Sequence, residues 1–530
     1  MNFFINATMP DHKSGIEHAE LKRLDLFNKN GEPAKLVLRD WDPNAHVTAN
    51  QAGISDEQII NLFDYFQETT QVTAELVQVQ NIEYGVLDAQ YTDDPSNNRY
   101  LVTANGQLVA RVNYNQTDER QVKSVEWFDG FNNLYCVDHY DSRGFVSLKQ
   151  WYTPDNKIGT ETWQTLNGRV VIEVFHKQTM QGDMKKTNWR LIDHDNKYHQ
   201  FDTLTALTTY FFDCLNEDYW TLDHPNVFIL DRAHLGDQGL LELKKPAYTV
   251  FHLHNAHTSN AQNPEAPLFN NNYEFALNAI DGYDAVVSAT NKQTADVRTR
   301  LQPKAQLFTI PVGVVPNRLL TAQRVQLADR QFGKMVVFAR IAWEKHLDDL
   351  VRAIGIVHQE IPQVTLDLYG YPDPNENYKA QHEVEAVIAE YGLEDVVTLK
   401  GYTTDIDAVQ NNAMMYGLTS RMEGFNLAIM EAISHGLIAF SYDVNYGPNE
   451  IVDDGVNGLV VPYGDYQALA EAILQVLRDP ALAEKYIEGA YQSAERYSEA
   501  TVWEAWQNLL ADAQDSWTNK LAALPGQRRG

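Results

Sequence analysis

Two glutamates at a short spacing have the clearest chemical meaning in this sequence. Glu423 and Glu431 have seven residues between them and flank a Gly-Phe-Asn turn, where a polar segment gives way to an apolar run. The run predicts a helix, so Glu423 lies in the preceding loop and Glu431 more than a turn inside the helix. Because free amides at a helix N-terminus attract phosphate, we expect one carboxylate near the sugar of a leaving phosphate and the other near the rest of the donor.

Two cations upstream suit the same phosphate. Arg340 and Lys345 stand at and just after the end of residues 334–340, whose apolar pattern predicts a strand. Arginine offers a fork of donors and lysine a compact charge, and both match a diphosphate. At the carboxyl end of a parallel strand they would face the ligand.

Together these residues resemble the Glu-x7-Glu signature and upstream Arg and Lys of retaining, nucleotide-sugar-dependent glycosyltransferases of family 4. The resemblance implies that Glu423 acts at the donor sugar and Glu431 binds the ribose hydroxyls. It also implies that Arg340 and Lys345 neutralise the donor diphosphate. The other donor-binding residues implied by the motif are Gly424, Phe425, Asn426 and Leu427. Asn426 stands where the family commonly has glycine.

The N-terminal strand-to-helix connection is a second candidate for donor phosphate. Ser14 and Gly15 resemble the glycine loop of the family, although the family commonly has two glycines there. Ser14 is also a natural N-cap, with Glu17 completing a capping box. The two roles are compatible.

A histidine cluster and a tyrosine complete the predicted site. In the segment 251–257, His257 is the first choice and His254 the second for the family's sugar-contacting histidine. Tyr402 is expected to lie against a uracil. No carboxylate accompanies the histidines locally in the sequence, so we expect no metal. The family resemblance likewise implies a metal-independent enzyme with no cofactor beyond its UDP-sugar substrate.

The order of predicted elements indicates an α/β protein of at least two domains. A Rossmann-like domain is predicted from two parts, residues 1–71 and 204–320, separated by an antiparallel β-meander over 72–203 with repeated turn signals. A nucleotide-sugar-binding Rossmann-like domain over 321–500 and a C-terminal helix and tail over 501–530 follow. Two Rossmann-like domains facing a cleft resemble the GT-B fold. Within this pattern we predict one helix over residues 56–68 and a disordered tail over 525–530.

The composition excludes several classes of function. The net charge of −30 repels nucleic acid and anionic membranes, so neither is an expected partner. No apolar run is long enough to cross a membrane, and the N-terminus lacks the pattern of a signal peptide. Two cysteines are too few for a disulfide framework or a zinc site. We therefore expect a cytoplasmic protein with no integral membrane segment.

Two further segments narrow the resemblance. Residues 446–451, Tyr-Gly-Pro-Asn-Glu-Ile, and residues 14–19 are similar to segments of Gram-positive poly(glycerol-phosphate) α-glucosyltransferases. That group and its surface-glycoprotein glycosyltransferase relatives also carry a β-rich insertion. The resemblance implies transfer of glucose or N-acetylglucosamine from a UDP-sugar to a hydroxyl. The acceptor stays open: acidity favours a serine-rich glycoprotein or its glycan, whereas the motif favours wall teichoic acid.

Other interpretations remain. The chain could be a non-catalytic glycosyltransferase-like partner or chaperone of an adhesin-glycosylating complex, although such a protein would need none of the four charged residues above. The meander could form a homo-oligomer or bind a polymeric acceptor. We expect a homo-oligomer with some acceptor contact.

Overall fold

The computed structural model describes residues 1–117 and 119–523. The predicted tail over 525–530 lies outside this part of the chain. The chain packs into two compact units. Unit 1 comprises residues 1–13, 32–249 and the chain from 519, and unit 2 comprises 14–31 and 250–518. The domain boundaries proposed from the sequence remain a prediction.

The described residues form twenty-three strands and sixteen α-helices. The strands are β1 (Asn2–Asn6), β2 (Ala34–Leu38), β3 (Ile59–Asn61), β4 (Gln90–Asp94), β5 (Arg99–Ala104), β6 (Gln107–Tyr114), β7 (Val122–Phe128), β8 (Leu134–Tyr140), β9 (Val146–Tyr152), β10 (Ile158–Gln164), β11 (Val170–Gln178), β12 (Met184–Ile192), β13 (Tyr198–Phe201), β14 (Val227–Leu230), β15 (Tyr248–His252), β16 (Ala285–Ser288), β17 (Gln306–Thr309), β18 (Lys334–Phe338), β19 (Thr365–Tyr369), β20 (Val397–Gly401), β21 (Met415–Leu418), β22 (Ile438–Tyr442) and β23 (Gly458–Val461). The helices are α1 (Gly15–Lys29), α2 (Ala45–Gln51), α3 (Leu62–Gln67), α4 (Leu204–Asp218), α5 (Asp237–Leu241), α6 (Glu274–Asn278), α7 (Asn291–Leu301), α8 (Asn317–Leu320), α9 (Leu347–Glu360), α10 (Lys379–Tyr391), α11 (Ile406–Asn412), α12 (Leu427–Ser434), α13 (Pro448–Ile451), α14 (Tyr466–Arg478), α15 (Pro480–Ala494) and α16 (Glu499–Ala522). Among these helices, none is both long enough and apolar enough to span a lipid bilayer.

Unit 1 contains parallel strands in the order β14-β1-β2-β3. The helix predicted over 56–68 is wrong in its first half, because Ile59 and Ile60 pair with Leu36 and Val37 as strand β3. β-branched residues fit a pleated sheet better than a helix. Helix α3 begins only after Asn61, whose side chain caps it by accepting from Phe63 N at 2.8 Å.

The meander predicted from the turn signals is confirmed as a ten-stranded antiparallel sheet, in the order β13-β12-β11-β10-β9-β8-β7-β6-β5-β4. Each strand pairs with its sequence neighbours, as hairpin connections require. The Asn105-Gly106 turn between β5 and β6 has φ of 51° and 77° at its two residues. These positive φ values match the tight turn that this residue pair favours.

A buried arginine fixes the ten-stranded sheet to α3. Arg143 donates to Asp141 Oδ1 at 2.8 Å, to Asp64 Oδ1 at 3.1 Å and to the Thr69 carbonyl at 2.6 Å. Its side chain is only 4% exposed, so it needs these partners to offset the loss of water. Removing one partner of such a buried pair typically costs about 3–5 kcal/mol. Within unit 1, the sheet is thus attached to α3 by a specific polar contact.

Unit 2 contains two parallel sets of strands. β15, β16 and β17 pair in that order, and a six-stranded sheet has the order β20-β19-β18-β21-β22-β23. The second order reverses between β18 and β21, since the chain moves outward to β20 and then returns. In open α/β sheets, ligands bind at the carboxyl ends of the strands at such a reversal. The loops after β18 and β21 are therefore where a site is expected.

Candidate active site

The loops after β18 and β21 bring Lys345 and Glu423 together. The two strands pair in parallel, so their carboxyl ends lie side by side. Lys345 Nζ lies 2.8 Å from Glu423 Oε1. Thr419 ties the loops together by donating to the His346 carbonyl at 2.8 Å. The structure thus places two residues predicted from separate motifs in direct contact.

Glu423 is held through one of its two oxygens. Its Oε1 accepts hydrogen bonds from Lys345 Nζ at 2.8 Å, Ser420 Oγ at 2.6 Å and Asn426 Nδ2 at 3.0 Å. Within the described part of the chain, no donor reaches Oε2. The residue is 8% exposed, so this orientation is fixed by packing as well as by hydrogen bonds. The arrangement leaves one carboxylate oxygen available to a ligand.

Asn426 links the first glutamate to the start of α12. Its backbone has φ of 79°, a region that glycine enters freely and asparagine tolerates better than most residues. Its Oδ1 accepts from Ile429 N at 3.0 Å, and this caps α12. Since its Nδ2 binds Glu423, one side chain both begins the helix and orients the carboxylate. The positive φ accounts for a position where the resembling family commonly has glycine.

Arg340 is engaged by two acidic side chains. Its guanidinium donates to Asp373 at 2.7 Å and to Glu344 at 2.5 Å, and its side chain is 42% exposed. The backbone joins this group to the β21 loop, because Arg421 N donates to the Glu344 carbonyl at 2.8 Å. Binding of a diphosphate at Arg340 would therefore exchange carboxylate partners for phosphate oxygens.

Gly424 permits close contact with the histidine segment. A Cβ at this position would lie 2.0 Å from the His254 carbonyl oxygen, so only glycine fits. The next residue, Phe425, is buried, and its carbonyl lies so near Gly447 that a Cβ there would clash with it. Leu427 is the first residue of α12. The donor-binding segment predicted from sequence is thus packed against residues 254–255 and 447.

His257 and His254 have different environments. His257 is fully buried, and its Nδ1 lies 3.3 Å from the hydroxyl of the buried Tyr446. Burial, assisted by the positive charge of Arg300, lowers the pKa of His257 to about 4, so this ring is neutral at pH 7. His254 is partly exposed, and its backbone N lies 3.3 Å from the Tyr273 hydroxyl. Of the two, His254 is the one with a surface that a sugar can reach.

Glu431 lies beside a cavity of about 340 Å³. Its Oε1 is 2.5 Å from Lys22 Nζ of α1, and both side chains are about one-quarter exposed. Lys22 was not predicted from the sequence, because it is 409 positions from its partner and has no local motif. The remaining residues lining the cavity are Val314, Val315, Pro316, Arg318, Leu319, Thr404, Asp405, Ile406, Asp407, Met430, Ser434 and His435.

Several polar residues that line this cavity are connected to one another by hydrogen bonds and an ion pair. The buried His435 lies 3.1 Å from Asp407 through Nε2, and its Nδ1 lies 2.9 Å from the Glu431 carbonyl. Asp407 also pairs with Arg318 at 2.7 Å. Burial favours the neutral acid, but Arg318 and His435 outweigh it and lower the pKa of Asp407. Tyr402 is 52% exposed and lies two residues before the cavity wall rather than in it.

Ser14 and Gly15 lie at the start of α1, in the same unit as the residues above. Ser14 N and Oγ both bind Glu17 Oε2, at 2.8 and 2.5 Å, which forms the capping box expected from the sequence. A Cβ at Gly15 would meet no described protein atom within 4 Å. Packing within the protein therefore does not require glycine there. Lys22 lies seven residues after Gly15 on the same helix, about 10 Å further along its axis.

Two segments of this chain match models of known protein families. Residues 321–493, which contain Arg340, Lys345, Glu423 and Glu431, match the family model described as glycosyl transferases group 1. Residues 95–198, within the ten-stranded sheet, match the model of the GtfB middle domain.

Whole-chain relatives agree with both matches. The GtfA subunit of a UDP-N-acetylglucosamine–peptide N-acetylglucosaminyltransferase from Streptococcus gordonii is 28% identical over 95% of this chain and 96% of its own. A poly(glycerol-phosphate) α-glucosyltransferase from Bacillus subtilis strain 168 is 24% identical over 96% of this chain and 74% of its own. The crystal structure of the pneumococcal O-GlcNAc transferase GtfA with UDP and GlcNAc has a TM-score of 0.80 at 24% identity, and covers 97% of this chain and 98% of that one. By fold and by sequence, this chain resembles the GT-B glycosyltransferases that include the GtfA subunits and the poly(glycerol-phosphate) glucosyltransferases.

Proposed function

We propose that this protein is a UDP-sugar-dependent hexosyltransferase that moves N-acetylglucosamine to a serine or threonine hydroxyl of a serine-rich protein. The observation that carries the proposal is the Lys345–Glu423 contact at 2.8 Å beside the N-terminus of α12. Three donors hold Glu423 through Oε1, and this orientation presents Oε2 to a ligand.

The donor is proposed to lie along α12. Its diphosphate meets Lys345, Arg340 and the free amides of the helix N-terminus, which together offset the charge of phosphate. Its ribose binds Glu431, whose carboxylate suits two neighbouring hydroxyl donors. The base then occupies the cavity of about 340 Å³ beside Glu431, a volume within the range of small-molecule sites. In this arrangement, the ribose replaces Lys22 as the partner of the Glu431 carboxylate.

Transfer is proposed to retain the anomeric configuration. The bond between the anomeric carbon and the phosphate oxygen breaks, and its electron pair goes to the departing UDP. The acceptor hydroxyl attacks the same face and gives its proton to the leaving phosphate oxygen. Glu423 Oε2 stabilises positive character at the sugar ring, and Lys345 stabilises the negative charge that develops on the diphosphate. His254 is proposed to contact the sugar hydroxyls.

No metal is required in this scheme, because Arg340 and Lys345 provide the positive charge that a divalent ion would supply. The expected consequence is full activity in the presence of EDTA. We also expect a cytoplasmic site of action, since Cys136 and Cys214 are both free thiols, as is usual in a reducing compartment.

The acceptor assignment rests on charge and on the relatives. A chain with a net charge of −30 repels a polymer of glycerol phosphate at long range. The relative from Streptococcus gordonii acts on peptide according to its name. Transfer to teichoic acid is the second candidate, supported by the Bacillus subtilis relative. A homo-oligomer formed through the ten-stranded sheet also stays a prediction.

The test is release of UDP from UDP-N-acetylglucosamine and UDP-glucose in EDTA, with and without a serine-rich peptide or poly(glycerol phosphate). We expect peptide-stimulated release from UDP-N-acetylglucosamine. Glu423→Gln and Lys345→Ala should each abolish it, whereas Lys485→Ala, which removes a surface lysine bonded to the Gly455 carbonyl, should not.

Other outcomes would redirect the assignment. Near-normal turnover in Glu423→Gln or Lys345→Ala would show that the site is wrongly assigned. Stimulation by poly(glycerol phosphate) alone would transfer the assignment to teichoic acid. An absence of turnover with every donor, together with no thermal stabilisation by UDP, would favour the non-catalytic partner.

A further inference from the structure

A short segment after β22 contacts two parts of unit 2 at once. It comprises residues 445–450 and contains five of the six residues of the Tyr-Gly-Pro-Asn-Glu-Ile motif. It leads from β22, in the six-stranded sheet, into α13. We call it the bridging segment. It contacts the Glu423 loop on one side and the chain after β15 and β16 on the other, and the proposed transfer step uses none of its residues.

The bridging segment pairs with the backbone of Glu423 in both directions. Glu423 N donates to the Asn445 carbonyl at 3.1 Å, and Tyr446 N donates to the Glu423 carbonyl at 2.9 Å. Gly447 lies against the same loop, since a Cβ there would clash with the Phe425 carbonyl oxygen. These contacts fix the main chain of Glu423, whereas the three hydrogen bonds to its Oε1 fix the side chain.

The bridging segment is also fixed to the chain that follows β15. Asn445 is buried, and its Nδ2 donates to the Ala261 carbonyl at 2.7 Å. Tyr446 is fully buried, with its hydroxyl 3.3 Å from His257 Nδ1 and its ring stacked on that imidazole at a centroid distance of 5.8 Å. Tyr446 also packs with Ala261 in a small apolar cluster. Polar and apolar contacts thus hold the segment against the histidines.

The Tyr446 hydroxyl and the His257 ring form an uncharged contact. Burial, together with the charge and hydrogen bonding of Asp296 on α7, raises the pKa of Tyr446, so its hydroxyl keeps its proton at pH 7. His257 is neutral at that pH because its pKa is lowered to about 4. Two neutral groups avoid the cost of burying a charge. The contact therefore persists throughout the neutral pH range.

Glu450 attaches the other end of the bridging segment to the start of α7. Its Oε1 accepts from Asn291 N at 3.1 Å, and its Oε2 accepts from Lys292 N at 3.2 Å. The first amides of a helix have no partner within the helix, and a carboxylate there interacts favourably with the helix dipole. Helix α7 in turn holds the chain after β15, because Gln293 Nε2 donates to the Asn255 carbonyl at 2.8 Å.

These contacts meet at the two groups assigned to the donor sugar. Glu423 follows β21 and His254 follows β15, so the two side chains belong to different sets of strands. Their loops touch where Gly424 packs on the His254 carbonyl. Catalytic groups act productively only when they are held within about 0.5 Å of the required geometry. The bridging segment is bonded to both loops and can therefore fix their separation.

We propose that the bridging segment sets the position of Glu423 relative to His254, and that Tyr446 and Glu450 are positioning residues for transfer. Tyr446 acts through the backbone pair with Glu423, and Glu450 acts through α7 and Asn255. The mechanical part of the proposal depends only on the contacts described. The catalytic part rests on the proposed function.

Hydrogen exchange of the full chain, resolved to single amides by mass spectrometry, tests the mechanical part. Tyr446→Phe keeps the ring and removes the hydroxyl beside His257. We expect exchange at Glu423 N and Tyr446 N to rise about fivefold, because one hydrogen bond fewer makes local opening easier by about that factor. Glu450→Gln removes the charge at the start of α7 and should raise exchange at Glu423 N as well.

Tyr442→Phe is the matched control for Tyr446→Phe. Tyr442 is also fully buried, at the end of β22, and its hydroxyl donates to Asp349 Oδ2 at 2.9 Å. Removing that hydroxyl should raise exchange around Asp349 and leave Glu423 N unchanged. The comparison separates loss of a buried tyrosine hydroxyl in general from loss of the one on the bridging segment.

UDP release from UDP-N-acetylglucosamine tests the catalytic part. Tyr446→Phe and Glu450→Gln should each lower kcat about fivefold and change the KM for the donor less than about twofold, since neither residue contacts the diphosphate or ribose in the proposed arrangement. The melting temperature and the Kd for UDP are measured on the same samples. A merely structural role would lower the melting temperature and leave kcat per folded molecule unchanged.

Several results would overturn the proposal. They are unchanged exchange at Glu423 N in both variants, an equal rise there in Tyr442→Phe, and raised exchange with unchanged kcat. If Tyr446→Phe fails to fold, Glu450→Gln provides the comparison, because Glu450 is partly exposed. If the unmodified protein turns over no donor, the catalytic part fails together with the proposed function. The exchange experiment still decides the mechanical part, so the two failures are distinguishable.

Discussion

Substitutions at Asn426 separate the two roles of one side chain. Asn426→Ala removes the cap on Ile429 N, removes the hydrogen bond to Glu423 and places a Cβ-bearing residue at a φ of 79°. Asn426→Gly loses the same two bonds but adopts the backbone conformation freely. Asn426→Asp keeps the cap but replaces the amide donor with a second carboxylate beside Glu423.

The magnitudes differ enough to measure. Loss of the cap costs about 1 kcal/mol with alanine and only a few tenths with glycine. Alanine also pays about 1–2 kcal/mol for the left-handed conformation. Glycine instead loses about 0.5–1 kcal/mol to the entropy of the unfolded chain. We expect Asn426→Ala to lower the free energy of unfolding by about 2–3 kcal/mol and Asn426→Gly by about 1 kcal/mol.

Urea unfolding measures the free energy of unfolding of each variant, and UDP release measures its transferase activity. All three variants should lose activity, because none presents the amide donor to Glu423, and Asn426→Asp should lose most while staying folded. Equal stability of Asn426→Ala and Asn426→Gly would refute the backbone argument. Unchanged turnover in Asn426→Gly would refute the idea that this hydrogen bond orients Glu423 for catalysis.

Three other changes test separate parts of the site. Glu431→Gln should raise the KM for the UDP-sugar about tenfold and change kcat less, and an unchanged KM would remove Glu431 from ribose binding. Gly424→Ala should abolish activity and lower the melting temperature, because its Cβ would lie 2.0 Å from the His254 carbonyl; a fully active variant would contradict that geometry. Burial lowers the pKa of His257 to about 4, below its unfolded value of about 6.5, so stability should fall as pH drops through that window. Urea unfolding at a series of pH values should show that His257→Gln reduces this loss of stability by up to about 3 kcal/mol. An equal loss in the wild-type protein and in His257→Gln would contradict the prediction.

The sequence was sufficient where local patterns determine the structure. Lys345 and Glu423 each follow a buried strand, and parallel strands that neighbour each other bring their carboxyl ends together. The capping box of Ser14 is likewise a property of a few adjacent residues.

Contacts between residues that lie far apart in the chain could not be predicted from the sequence. The contact of Lys22 with Glu431 joins residues 409 positions apart, and Asp373 reaches Arg340 from the loop after another strand. Strand β3 was missed because a short apolar run beside a helix cap fits either structure until its partner strand is known. The packing of α3 on the ten-stranded sheet was missed for a related reason. Alternation predicts which residues share a face, but not which helix covers that face.

The anchoring of the ten-stranded sheet has a consequence for protein engineering. The chain enters beside the start of β9, where Glu75 N donates to the Arg143 carbonyl at 2.9 Å, and it leaves along β13, four strands away. At about 4.8 Å per strand these points are about 19 Å apart. A linker replacing the sheet would need at least about six extended residues. A shorter linker would pull α3 and α4 out of place, so subunit number is better measured on the full chain carrying surface substitutions than on a simple excision.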